Sequence, residues 1–113
     1  MRGNGGTSAS GRPHAAIFAA LGDETRLRLV ERMARRQPLS ISQLAAGTEM
    51  TRQAVTKHLH VLAGAGLAGA SRRGREQLWR LNEKHLEQAR DYLDRVARQW
   101  DDALARLKAF VEE

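Results

Sequence analysis

Residues Thr51 to Leu62 read TRQAVTKHLHVL, and the fold turns on how that stretch is understood. Its apolar residues, Val55, Leu59 and Leu62, recur at helical spacing and make one stripe. Arg52, Gln53, Thr56, Lys57 and His60 lie away from that stripe. Thr51 is placed as the N-cap, because its hydroxyl accepts one of the unpaired N–H groups of a first turn. The predicted helix spans 51–63, and Gly64 to Gly66 stop it. An outer face so rich in donors and acceptors either keeps the helix soluble or reads a partner.

Just upstream, SISQLAAG pairs Ser40 with Gln43 at the capping-box spacing, which predicts a short helix burying Ile41, Leu44 and Ala45. Thr48 to Met50 form a non-helical link to Thr51. Before Pro38, HAAIFAAL (14–21) predicts a helix with Ile17, Phe18 and Leu21 on one face. Asp23 then caps ETRLRLVERMARR (24–36), whose buried face is read as Leu27, Leu29, Val30, Met33 and Ala34. The arginines at the end of that helix suit its dipole. His58 is expected at the core edge, bonded to backbone, with Trp79 and Trp100 as packing residues.

Downstream, LAGASRRGREQLWRL (67–81) holds two short segments around Arg73 and Gly74, a hairpin with Arg72, Arg73 and Arg75 close together. Two short helices joined by a turn and followed by a basic hairpin make a winged helix. The fold class read here is mainly α: a winged helix-turn-helix with a two-stranded β wing and a long C-terminal helix. That last helix, 83–112, follows Asn82 as cap. Leu86, Leu93, Trp100 and Leu107 recur every seven residues, with Ala89, Val96, Ala103 and Phe110 at an offset of three. Such a seam packs within the chain or against a second copy; the second is favoured, because the preceding domain needs only part of it.

Composition narrows the function. The 113 residues carry 19 Lys and Arg against 13 Asp and Glu, a formal net charge of +6, which suits an anionic partner. Cysteine is absent, so disulfides and thiolate metal sites are excluded. No membrane-spanning run or secretory leader is read, and a cytoplasmic location is the default. No nucleophile–base arrangement or Gly-rich phosphate loop is evident, so no catalytic residues are assigned and an enzyme is not expected. Residues 1–12 are read as a disordered tail and 13–113 as one winged-helix domain including the C-terminal helix.

Four blocks in order, ALGDETRLRLVERM, LSISQLA, MTRQAVTKHLHVLAGAGL and RRGREQLWRLN, resemble the ArsR family of bacterial winged-helix repressors. The resemblance runs from about Phe18 to Asn82. It implies a homodimeric transcriptional regulator that binds double-stranded DNA, with helix 51–63 as the recognition helix and the first and last helices as dimer interface. Ile17, Phe18, Leu86, Leu93, Val96, Trp100 and Leu107 are the residues expected there. Metal-sensing members carry a Cys-x-Cys pair where this chain has Ser40 and Ser42, and hydroxyls are no substitute for thiolates. The acids of the last helix, Asp91, Asp94, Asp101 and Asp102, lack a His at ligand spacing. No metal site and no cofactor are therefore expected. Glu49 stands where the family often has Gly in the turn, at a cost of about 1 kcal/mol if its backbone is left-handed.

On that footing the outer face of 51–63 is expected to read DNA. Arg52, Gln53 and Thr56 in its first turns suit base edges, and Thr51, Lys57 and His60 suit phosphates. Arg72, Arg73 and Arg75 in the wing are expected at phosphates or the minor groove. Repression by occluding a promoter, at a near-palindromic operator, follows. Two alternatives stay open: a winged-helix protein-interaction module without DNA binding, and a repressor released by an organic ligand at the dimer seam.

Overall fold

The computed structural model describes residues 14–112. Helix α1 (14–21) leads through Gly22 into α2 (Glu24–Arg35), and Asp23 caps α2 by accepting from the Arg26 N–H at 3.0 Å. Only Leu29 and Met33 of α2 are fully buried. The broad face expected from sequence is narrower: Leu27 is 43% exposed, Ala34 is exposed and Val30 is partly covered. The two buried residues are four apart, one turn of helix, so they define a single line of contact.

A two-residue strand β1 (Leu39–Ser40) precedes α3 (Ile41–Ala45), which opens on the expected capping box. Ser40 Oγ accepts from Gln43 N at 3.1 Å, while Gln43 Oε1 accepts from Ser40 N at 2.8 Å. The turn to α4 places Gly47 at φ +77°, and no residue other than glycine has positive φ among those described. Glu49 therefore carries none of the conformational cost expected for it.

Helix α4 (Arg52–Gly64) begins at its cap Thr51 and buries Val55, Leu59 and Leu62 completely. It ends in a Schellman closure around Gly66, whose φ is +81°. Leu67 N bonds Leu62 O and Gly66 N bonds Ala63 O, both at 2.9 Å. Leu62 and Leu67 are both buried, the apolar contact that accompanies this motif. A Cβ on Gly66 would also stand 2.8 Å from the His85 ring, so the position needs glycine twice over.

The wing is β2 (Ala68–Arg73) paired antiparallel with β3 (Glu76–Leu81), turned over Gly74 and Arg75 with Gly74 at φ +65°. The wing has the two strands expected, and β1, which was not expected, joins it to make a three-stranded sheet in the order β1-β3-β2. Leu39 pairs with Trp79 and Ser40 with Leu78. Two residues are too few to show a period, so β1 left no pattern to read. Trp79 and Leu81 turn into the common core with Leu59, Leu62 and Met33.

Asn82 Oδ1 accepts from His85 N at 3.2 Å and opens α5 (Glu83–Glu112), 30 residues and about 45 Å long. Its first turns pack on the body through Leu86 and the buried Ala89, and Tyr92 stacks on His14 of α1 with ring centroids 4.3 Å apart. Past that point, Val96 apart, its large apolar residues stand in the open, Trp100 at 64% and Phe110 at 76% exposure. Ile17, expected at a dimer interface, is buried in the chain's own core and has no surface left to offer. The expectation for residues 1–12 lies outside the described residues. No described helix is long and apolar enough to cross a membrane.

Candidate nucleic-acid interface

Cap and stripe together decide which side chains α4 presents. With Val55, Leu59 and Leu62 turned inward, Arg52, Gln53 and Lys57 are exposed at its N-terminal end. Arg52, Gln53, Thr56 and Lys57 line one open hollow with Ile41 of α3. A second cleft adjoins it, sharing Ile41 and Arg52, and reaches the wing at Arg72, Arg75 and Gln77. Cations from a helix and a hairpin thus meet across one concave surface. Glu76 is the single carboxylate on that cleft.

Two hydroxyls are already partly committed, and this limits what each can recognise. Thr51 Oγ1 accepts from Ala54 N at 3.0 Å, which leaves its O–H free to donate to a phosphate oxygen. Thr56 Oγ1 donates to Arg52 O at 2.8 Å, so toward a base it presents an acceptor and a methyl group. Arg52 and Gln53 are exposed and make no side-chain hydrogen bond among the described residues, leaving the forked donor that suits guanine and the amide that suits adenine.

Other expected residues fall elsewhere. Arg73 lines neither hollow: it follows Arg72 in β2, and successive strand residues face opposite ways. His60 is exposed but sits edge-on to Trp79, ring centroids 5.9 Å apart, away from both hollows. His58 is not bonded to backbone as expected; its Nδ1 faces Arg26 and Asp23. Ser42, noted in the sequence only at a metal sensor's cysteine position, and Gln77 also line the wing cleft, and neither was expected at a DNA-facing surface. In the sequence Gln77 is marked only by its alternation with Trp79 and Leu81 in the second hairpin segment. Ser40 is buried and occupied as a cap.

The wing reading yields a measurable outcome. Replacing Arg72 and Arg75 by Ala is expected to reduce the slope of log affinity against log salt by about 1.8, at ~0.9 per phosphate contact. Replacing Arg73 alone should change it less than either. Titrations of duplex binding from low to moderate salt would check this, and an unchanged slope in the double variant would place the wing off the DNA.

Comparison with known proteins agrees with this architecture. Residues 21–68 match a helix-turn-helix domain family. An uncharacterised HTH-type transcriptional regulator of Bacillus subtilis, YuzN, is 36% identical over 78 residues, covering 64% of this chain and 85% of the relative. The structure of an ArsR-like transcriptional regulator from Rhodococcus superposes with a TM-score of 0.77 at 36% identity, over 93% of this chain and 95% of the other. A homodimeric winged helix-turn-helix DNA-binding domain of Mycobacterium bovis shares the fold, with a TM-score of 0.66 at 24% identity over 87% of each chain.

Proposed function

Because this chain belongs to the ArsR-like family of winged-helix, DNA-binding transcriptional regulators, we propose that it acts as a homodimeric repressor whose α4 reads a near-palindromic operator. The observation that carries this reading is the joined pair of hollows that gathers Arg52, Gln53, Thr56 and Lys57 with Arg72 and Arg75. Base edges fall to Arg52, Gln53 and Thr56. Phosphates fall to Thr51, Lys57, Arg72 and Arg75, with Arg73 and His60 outside the concave surface.

Support for a second copy comes from α5. Leu93, Trp100 and Leu107 are 51%, 64% and 58% exposed in the single chain, a stripe along one helix face that water leaves unpaired. Phe18 and Val96 border it half-buried, and Leu86 is already partly used by the core. Two such α5 helices packed together would set two α4 helices roughly 34 Å apart, one turn of duplex. Occlusion of a promoter at that site is the mode of repression, binding rather than catalysis is the activity, and the cytoplasm is the setting.

Regulation by thiolate-bound metal does not fit the chain. It has no cysteine, and Ser40 spends its hydroxyl on the α3 cap. Zinc, cadmium or arsenite at stoichiometric concentration is expected to leave the DNA complex intact in a fluorescence-anisotropy assay. Specific release at one metal per subunit would contradict this.

The experiment for the reading face uses Arg52→Ala and Gln53→Ala on the duplex the wild type prefers. Each is expected to cost roughly 1–3 kcal/mol on that duplex and to relax the choice of base at one position of each half-site. Two variants with wild-type affinity and wild-type preference would refute the assignment.

A further inference from the structure

One arginine fastens three elements at the corner between α1 and α2. Arg26 Nε donates to the Ala20 carbonyl in the last turn of α1 at 2.7 Å. Its backbone N–H donates to Asp23 Oδ2 at 3.0 Å, and its Nη1 stands 3.4 Å from Nδ1 of His58 on α4. Asp23 Oδ2 is 3.9 Å from the same His58 nitrogen. The hydrogen bond from Arg26 N holds the Asp23 carboxyl below the ordinary carboxylate range, so the corner keeps an anion between its two basic side chains. α1 also stacks on α5 through His14 and Tyr92. His58 side-chain exposure is 26%, and it lines neither of the two hollows of the reading face.

The inward stripe of α4, Val55, Leu59 and Leu62, is apolar and fully buried. Apolar burial is strong but non-directional, and it resists withdrawal better than it resists small rotations about the helix axis. Reading a base edge demands the opposite quality, because a two-pronged contact tolerates little misplacement. A polar contact on the flank of the helix supplies that direction. His58 lies six positions from Arg52, about 9 Å along the axis, close enough for a rotation there to be felt at the reading turn.

We propose that Arg26 and His58 act as positioning residues that set α4 against the α1–α2 corner, so that discrimination between DNA sequences depends on two side chains that touch no DNA. The proposal rests on the reading of α4 as the recognition helix. It also gives the dimer-forming elements a physical connection to the reading face, from α5 through Tyr92, His14 and α1 to Arg26.

The test compares the full-length wild type with Arg26→Ala, His58→Ala, His58→Asn and the double alanine variant. Affinity is measured for the preferred duplex and for a scrambled one across a salt series, with circular dichroism melts alongside. Asn is chosen because its amide oxygen can occupy the place of Nδ1 and accept from Arg26. His58→Ala and Arg26→Ala are expected to lower the ratio of preferred to scrambled affinity at least tenfold, with the salt slope unchanged. His58→Asn should recover most of that ratio, and the double variant should be no worse than His58→Ala. If Arg26→Ala fails to fold, the two His58 variants carry the test, since His58 caps no helix.

A folded His58→Ala that keeps the wild-type ratio would overturn the proposal. So would a slope reduced by about 0.9, which would make His58 a direct phosphate contact. Recovery no better with Asn than with Ala would overturn it as well, because the contact with Arg26 would then set nothing. A wild type that does not discriminate the two duplexes at all would instead sink the recognition reading on which the proposal stands.

Discussion

A chain carrying Leu93→Glu and Leu107→Glu is expected to sediment as a folded monomer and to lose at least a hundredfold in affinity for a two-half-site duplex. Both leucines are more than half exposed in the single chain, so neither change empties the core. In a dimer built along α5 each would put a carboxylate into a desolvated seam, where an unpaired charge costs several kcal/mol. That is enough to dissociate a micromolar dimer at working concentrations. The monomer retains one reading helix and loses the second half-site, whose binding is otherwise intramolecular. Circular dichroism should be unchanged, because α5 joins the core through Leu86 and Ala89. A wild type that is monomeric yet binds the paired site tightly would contradict the account.

Arg32→Ala is expected to be strongly destabilising although Arg32 is only partly buried. Arg32 Nη1 donates to Leu44 O at 2.7 Å and Ala46 O at 3.1 Å, and Nη2 donates to Gln43 O at 2.8 Å. One guanidinium thereby satisfies the carbonyls at the end of α3, a five-residue helix too short to hold itself together. Losing these charge-assisted bonds should cost roughly 2–4 kcal/mol, given that shared contacts do not add fully. In a domain of this size that is a fall in melting temperature of about 8–15 °C. Arg32→Lys should recover only part of it, since an ammonium lacks the planar fork. Thermal melts of the three proteins decide the point; equal melting temperatures would show that water replaces the side chain without loss.

Arg32 also marks the limit of what the sequence disclosed. At the end of α2 it was legible as a cation suited to that helix's own dipole, yet its partners sit on α3, eleven to fourteen residues on. The caps at Asp23, Ser40, Thr51 and Asn82 could be read because donor and acceptor lie three residues apart and the spacing itself is the signal. The contact of Arg26 with His58 spans 32 residues and leaves no periodic trace. Apolar stripes were legible in direction but not in width. Leu27 of α2 had the right character and the wrong angle, while on α5 Leu104 and Val111 widen the exposed face beyond the heptad positions.

Within the site, the helical half could be read and the wing only in part. A helix face follows from one stripe, so Arg52, Gln53, Thr56 and Lys57 were found together, whereas His60, read on the same face, lies against Trp79 and outside both hollows. A strand reverses its face at every residue, and assigning Arg72 and Arg75 to the cleft while leaving Arg73 out required the pairing of β2 with β3. Ser42 and Gln77 enter only because α3 and β3 approach each other, an effect of β1 pairing with β3.

Selection of bound duplexes from a random pool, run in parallel with wild type and Gln53→Ala, tests most directly the claim that α4 reads DNA as one of a pair. Two inverted half-sites centred roughly 34 Å apart are expected for the wild type, with preference relaxed at the same position of both half-sites in the variant. Enrichment of no sequence by the wild type, or of an identical site by both proteins, would contradict that claim.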